Sequence, residues 1–208
     1  MTKVVENTFR DINIAFANEL SQICYNEGID VYETIRIANM HPRVKILQPG
    51  PGVGGHCISV DPWFLVGDYP DIVNVVFAAR QVNDSQPSYI LRRISKIMQD
   101  NNITDISDVG FYGLTYKQNV DDTRESPTLQ IIERMKENLA SGARFYDPFI
   151  PYKLVDNQHF DFESFVDDVK LVVVMVSHDH IKSREAMLRG KIVFDTQNCL
   201  AYADAIKL

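Results

Sequence analysis

The chain has 208 residues, a net charge of −7 and a 45% hydrophobic share, the profile of a soluble globular protein with one large or two small domains. The negative balance disfavours nucleic acid or an anionic membrane as a general partner, and no run of about 18 apolar residues offers a membrane span. Three widely spaced cysteines, Cys24, Cys57 and Cys199, form neither a C-x-x-C pair nor a disulfide framework, which points to a reducing cytoplasm.

The start, Met1–Asn7, does not read as a signal peptide, and residues 1–27 read as one helix. They carry Val5, Phe9, Ile12, Phe16, Leu20 and Ile23 at helical spacing, and Gly28 stops the pattern. Val4, Ile14 and Ala15 extend the apolar surface beyond one narrow face, which suits the core of a homodimer. A shorter helix is expected over Val31–Met40. His41–Cys57 holds three prolines and four glycines and is expected to be a loop. A loop of that length inside a compact domain is usually functional. Helical patterning then runs from Trp63 to Asn101, with a break near Ser85-Gln86-Pro87.

From there strands and helices alternate. Asp108–Thr115 is strand-like, Pro127–Asn138 an amphipathic helix, Arg144–Tyr146 a strand and Phe162–Asp167 a short helix. Lys170–Ser177 is an apolar, β-branched run of the kind found in a buried parallel strand. Ser183–Arg189 is expected to be a helix and Lys191–Asp195 a strand. The expected architecture is α/β: a helical region over residues 1–101 and a doubly wound parallel sheet over residues 102–208, divided at Asn101–Asn102.

Open sheets of this type bind ligands at the carboxyl ends of their strands. Gly113–Lys117, Asp147-Pro148 and Asp195-Thr196 occupy such ends. The pattern G-x-G-x-x-G occurs at Gly50, Gly52 and Gly55, but in a proline-rich loop with no strand before it, so no dinucleotide site of the usual kind is encoded there.

The loop ends in Gly54-Gly55-His56-Cys57. Two readings of Cys57 stay open on residues alone: a covalent nucleophile presented by a glycine-rich turn, or a buried structural thiol. Cys24 and Cys199 read as structural. Asp61 is either a proton acceptor or a helix cap ahead of Pro62. Lys3, Asn7 and Arg10 share one helix face, which is either solvated or suited to an oxyanionic ligand. Arg43, after His41-Pro42, is a candidate diphosphate clamp or ordinary surface. Lys117 and Arg124 lie where a nucleotide would dock, although Asp121–Ser126 also reads as a helix cap. His178-Asp179-His180 lacks a third metal ligand at sensible spacing, so no metal site is expected.

Three segments together closely resemble the UDP-glucose/GDP-mannose dehydrogenase family over essentially the whole chain. They are Lys3-x-x-x-Asn7; Gly50-Pro51-Gly52-Val53-Gly54-Gly55-His56-Cys57-Ile58-Ser59-Val60-Asp61-Pro62-Trp63-Phe64; and Gly113-Leu114-Thr115-Tyr116-Lys117 followed by Asp122-Thr123-Arg124-Glu125-Ser126-Pro127. His56 before the cysteine and Pro62-Trp63-Phe64 after it look most like the UDP-N-acetyl-D-mannosamine dehydrogenase branch, with UDP-N-acetylglucosamine and UDP-glucose 6-dehydrogenases as the alternatives.

The resemblance implies a helical central dimerisation region carrying the cysteine loop, followed by a Rossmann-like, UDP-sugar-binding sheet domain. It implies oxidation of a UDP-sugar C6 alcohol to a carboxylate with NAD, for surface polysaccharide precursors, through a thiohemiacetal and thioester on Cys57. It makes Lys3, Asp61 and Asn7 catalytic, and Arg10, His41, Arg43, Gly54, Tyr116 and Lys117 substrate-binding. His41 and Arg43 are expected to reach a neighbouring subunit's site, and Arg124 is an NAD contact. The family's glycine-rich NAD domain has no counterpart in these residues, so they are expected to be the C-terminal part of such an enzyme, inactive alone. Gln197-Asn198 stand near where the family has a late substrate-binding arginine. The readings from other classes are a non-catalytic UDP-sugar-binding dimerisation module and a Cys57–His56 hydrolase, the latter disfavoured because adjacent residues rarely orient as nucleophile and base.

Overall fold

The computed structural model describes residues 1–137, 142–201 and 204–208. It divides into two compact units, Met1–Gln86 (with the terminal Leu208) and Pro87–Lys207.

The first unit opens with α1 (Thr2–Glu27), which Gly28 ends in a left-handed conformation at φ 67°, as the glycine predicts. The side that α1 turns inward differs from expectation. Asn7, Thr8, Asp11, Asn18 and Ser21 are buried together with Ala15, Ala17 and Cys24. Of the apolar stripe, Val5, Phe9, Phe16 and Ile23 are 49–66% exposed, while Ile12 and Leu20 are half-buried. The polar side is inside because the long loop packs there and its backbone needs partners. Asn13 bonds Lys45 O and Leu47 N–H, and Asn18 Oδ1 accepts from Gly50 N–H. Gln86 donates to Gly50 O. Asn83 donates to the Asp11 carboxylate and carbonyl, and accepts from Asn18.

α2 (Val31–Ala38) starts on Asp30, whose carboxylate accepts from Tyr32 and Glu33 N–H at 2.7 and 3.1 Å. It stops short of the expected Met40. The expected loop over His41–Cys57 is present and extends over residues 39–60, and α3 (Asp61–Asp68) follows. The helical stretch after it is interrupted at residues 69–73, not at Ser85–Pro87. α4 (Asn74–Asp100) runs through Pro87 without a break. An interior proline costs a helix about 3 kcal/mol. Burial on both sides of Pro87, of Asn83 and Gln86 before it and Tyr89 and Ile90 after it, offsets that cost.

The compact units part inside α4, whereas the sequence placed the division at the end of this helix, Asn101–Asn102. The second half of α4 belongs to the second unit because its side chains pack there. The Arg93 guanidinium lies 5.2 Å from the centre of the Phe194 ring and donates to Lys207 O.

The second unit is a six-stranded, wholly parallel sheet in the order β3-β2-β1-β4-β5-β6. Its strands are β1 (Val109–Tyr112), β2 (Arg144–Tyr146), β3 (Gln158–His159), β4 (Leu171–Val174), β5 (Ile192–Asp195) and β6 (Ile206–Lys207). This order is that of doubly wound nucleotide-binding sheets, with a switch point between β1 and β4. The two central strands are buried throughout. In register, Tyr112 pairs with Tyr146 and Val174. A side chain at Gly110 would come within 2.7 Å of the Phe165 ring, which is why α6 (Phe162–Asp167) can lie close on this face.

α5 (Pro127–Glu137) matches the expected helix, except that its expected last residue, Asn138, lies outside the described residues. The expected helix over Ser183–Arg189 is instead α7 (Asp179–Ser183) and a 3-10 turn (Glu185–Leu188). Arg184 between them leaves helical geometry at φ −117°. Strands β3 and β6 have two residues each, too few to show a period in sequence.

Candidate functional site

In the first unit the cysteine loop folds as a backbone turn rather than a helical cap. Gly52 and Gly55 take φ 145° and 84°, values that side chains resist. The Ser59 hydroxyl donates to Gly55 O. The Cys57 carbonyl accepts from Asp61 N–H at 2.8 Å, closing a turn that leaves the thiol exposed. Of the two readings of Cys57, burial as a structural thiol is therefore corrected. Cys24 is buried, as read.

Asp61 is not the helix cap. It is the first residue of α3; Val60 stands at the cap and makes no side-chain bond. The Asp61 carboxylate instead accepts from the Asn7 amide at 2.6 Å, across 54 residues. This contact ties the α1 face bearing Lys3 and Asn7 to the cysteine turn. Lys3 is exposed, with its ammonium 3.9 Å from Glu6, and Arg10 is exposed one turn beyond Asn7. Gly54 is half-buried. His41 and Arg43 lie on the exposed start of the loop, where Arg43 N–H donates to His41 Nδ1 at 3.2 Å.

In the second unit the candidate residues cluster at the switch point. Gly113 leaves β1 at φ 100°, and a side chain there would strike Val176 at 2.7 Å. The loop that follows presents a half-buried Tyr116 and an exposed Lys117. Tyr116 N–H is tied to Asp122 O at 3.0 Å. Arg124 donates twice to the Asp122 carboxylate through Nε, at 2.9 and 3.1 Å, and this hydrogen bonding holds that carboxyl down at about 2.

Two residues hold this loop from behind, and the sequence did not single them out as a pair. The buried Asp147, at the end of β2, accepts from Leu114 N–H at 2.6 Å, Thr115 N–H at 3.0 Å and Phe149 N–H at 2.8 Å. His178 Nε2 lies 3.3 Å from the same carboxylate. Burial pushes the Asp147 carboxyl up, but hydrogen bonds from His178 and from the Phe149 and Leu114 amides outweigh it and hold the group below its ordinary value. The signal available in sequence was an aspartate closing one short strand and a histidine just past the apolar run of another.

The three residues read together as His178-Asp179-His180 point to three different places. His178 faces Asp147; Asp179 bonds Asn119 and Lys182; His180 Nδ1 is 3.1 Å from the Tyr112 hydroxyl. Among the described residues no group of three or more His, Cys, Asp or Glu is placed to hold a metal ion. After β5, Asp195 accepts from Gln197, Cys199 and Leu200 N–H, and the Gln197 amide donates to Met175 O at 2.9 Å. That loop supplies amides but no guanidinium.

The strand order matches dinucleotide-binding folds, yet the parts that grip a dinucleotide are otherwise engaged. An acidic residue in that region of a dinucleotide-binding fold takes the ribose hydroxyls; Asp147 is spent on the chain's own amides and His178. The turn after β1 carries one glycine rather than the glycine-rich fingerprint.

Residues 1–85 match the central domain of the UDP-glucose/GDP-mannose dehydrogenase family, and residues 110–202 match its UDP binding domain. The chain is 50% identical to the UDP-N-acetyl-D-mannosamine dehydrogenase of Escherichia coli (strain K12), over 88% of this chain and 46% of that protein. It is 41% identical to an NDP-N-acetyl-D-galactosaminuronic acid dehydrogenase of Ralstonia nicotianae, over 95% of this chain and 47% of that one. Among solved structures, the UDP-D-ManNAc dehydrogenase of Pyrococcus horikoshii superposes with a TM-score of 0.86 at 34% identity, covering 100% of this chain and 50% of that one. The chain therefore spans about half the length of the relatives it matches. No helix among the described residues is long and apolar enough to cross a membrane.

Proposed function

The chain belongs to the UDP-glucose/GDP-mannose dehydrogenase family, and from that premise we propose that it carries the covalent-catalysis and UDP-binding parts of an NAD-dependent UDP-N-acetyl-D-mannosamine 6-dehydrogenase. The observation that carries this reading is the Asn7–Asp61 hydrogen bond at 2.6 Å beside an exposed Cys57. A nucleophile, a lysine-bearing helix face and a carboxylate are thereby drawn together in the first unit.

The chemistry assigned to these residues is nucleophilic catalysis. The Cys57 sulfur adds to the C6 aldehyde of the UDP-sugar and the carbonyl oxygen takes up a proton, giving a thiohemiacetal. Oxidation of that adduct leaves a thioester, and water attacks it to release the carboxylate and the free thiol. Lys3 stabilises the oxyanion that forms at each addition. Asp61, held by Asn7, orients Lys3 and the attacking water. NAD supplies the hydride acceptor when bound, with Arg124 as one contact to it and its main site assigned to a domain other than these two. Tyr116 and Lys117 take the UDP, with Arg10, Gly54, His41 and Arg43 as further substrate contacts, the last two from a neighbouring subunit. The exposed stripe Val5, Phe9, Phe16 and Ile23 supports a homodimer through α1. The reading places the protein in the cytoplasm, supplying surface polysaccharide precursors.

The test uses the 208-residue chain itself. The 6-aldehyde of UDP-N-acetylmannosamine is expected to protect Cys57 from iodoacetamide, and the parent alcohol is not. UDP binding without aldehyde protection would favour a non-catalytic UDP-sugar-binding module. UDP-N-acetylglucosamine and UDP-glucose aldehydes, run in parallel, decide the sugar. Steady NADH formation from the chain and UDP-sugar alone would overturn the division of labour, and ester turnover by Cys57 would point to a hydrolase.

A further inference from the structure

We infer that His178, braced by Asp147, is a positioning residue that shapes the Gly113–Asn119 loop into its UDP-binding form. The inference rests on the proposed role of Tyr116 and Lys117, and goes beyond it by assigning what holds them.

The loop is wrapped around the His178 ring. On its far side, Asn119 N–H donates to His178 Nδ1 at 2.9 Å. The ring proton therefore sits on Nε2. On its near side, Nε2 lies 3.3 Å from both the Asp147 carboxylate and the Thr115 hydroxyl. That hydroxyl in turn donates to Lys117 O at 3.1 Å, and Asp147 collects the Leu114 and Thr115 amides. One imidazole and one carboxylate thus hold the backbone on both sides of Tyr116-Lys117-Gln118.

His178 and Asp147 are both buried, while Lys117 and Asn119 are exposed. The exposed part of the loop has further ties, from Tyr116 N–H to Asp122 O, from Asn119 to Asp179 and from the Ser177 hydroxyl to Gln118, and the His178–Asp147 pair adds the buried one, at Leu114, Thr115 and Asn119. The arrangement fits preorganisation of a binding loop, where affinity is gained by removing the ordering cost from the binding step. Both side chains are buried and neither is assigned a contact with ligand, so they are positioning residues.

The test measures UDP affinity by calorimetry and amide exchange by NMR on the 208-residue chain and its variants. His178→Ala is expected to weaken UDP binding about tenfold or more, approaching the loss in Lys117→Ala, and to speed exchange at Leu114, Thr115 and Asn119 by at least about tenfold. Two milder variants keep the test readable if alanine prevents folding. His178→Asn restores an acceptor for Asn119 N–H, and His178→Gln restores a donor to Asp147. Asn119 is therefore expected to stay protected in the first and Leu114 and Thr115 in the second. Folded His178→Ala with unchanged UDP affinity would overturn the inference. If the unsubstituted chain bound no UDP, the role of Lys117 would fail. The shaping of the loop would then stand on exchange alone, supported by acceleration confined to residues 114–119 and refuted by uniform or absent change.

Discussion

The Asn7 amide donates to the Asp61 carboxylate at 2.6 Å, joining the second turn of α1 to the first residue of α3 across 54 residues of chain. Asn7 is buried and Asp61 half-buried, so the bond is shielded on one side. A hydrogen bond to a charged acceptor is worth about 1.5–3 kcal/mol. It is also the contact that gives the Cys57 turn a fixed relation to the Lys3 face.

Asn7→Ala is therefore expected to lower the stability of the chain by about 1–3 kcal/mol. Urea unfolding followed by circular dichroism checks this. A midpoint within error of the parent would show that the bond carries no weight in solution.

The three thiols are expected to differ sharply in reactivity. Cys57 is exposed, Cys24 buried and Cys199 half-buried. Burial, then the charge and hydrogen bond of Asp195, pushes the Cys199 thiol up to about 12, and only the thiolate reacts. Titration of the native chain with an aromatic disulfide at pH 8 is expected to show one fast thiol, which Cys57→Ser removes. Two fast thiols in the native chain would contradict the placement of Cys199.

The buried Asp11–Arg80 pair, at 2.5 Å, is the charged centre of the polar face of α1. Burial pushes the Asp11 carboxyl up, opposed by the Arg80 charge and by hydrogen bonds from Asn83 and Arg80. Removing the cation leaves the carboxyl only the Asn83 hydrogen bond against its desolvation. Arg80→Met is expected to cost about 3–5 kcal/mol, and Asp11→Leu added to it to recover part of that loss. Chemical denaturation of the single and double variants reads the coupling directly. Additive losses would mean the pair is not coupled.

Acid stability is expected to depend on Asp147. Its folded carboxyl is held below the ordinary value. A depressed group contributes stability that is fully present above its unfolded value of about 3.9 and is lost as pH falls through the folded value. The melting temperature is thus expected to be level from pH 7 to 5 and to drop below about pH 4. Asp147→Asn should melt lower at pH 7 and show a shallower acid limb. Parallel curves for the two proteins at every pH would remove Asp147 from the acid transition.

Motif residues were legible in the sequence because their chemistry is written in their type and spacing. Gly28 ended α1, the glycines of the 50–55 segment marked a loop, and the β-branched run at 170–177 marked a buried strand. Pro87 misled because a local rule about proline gave way to burial on both sides of it. The face of α1 misled for a related reason. An apolar stripe announces burial, but not what covers it, and in the single chain the covered side is the polar one.

The sequence by itself determined the family, the cysteine motif, the parallel sheet and the identity of Lys3, Asn7, Asp61 and Lys117 as candidates, while the exposure of Cys57 came from the structure. Only the tertiary structure decided which partners those residues have. Asp61 bonds Asn7 rather than capping its helix, Arg124 is spent on Asp122, and Asp147 and His178 close behind the loop after β1. The reason is physical. A motif records local backbone and side-chain chemistry, whereas a hydrogen bond between residues 31 or 54 positions apart depends on how distant segments come together.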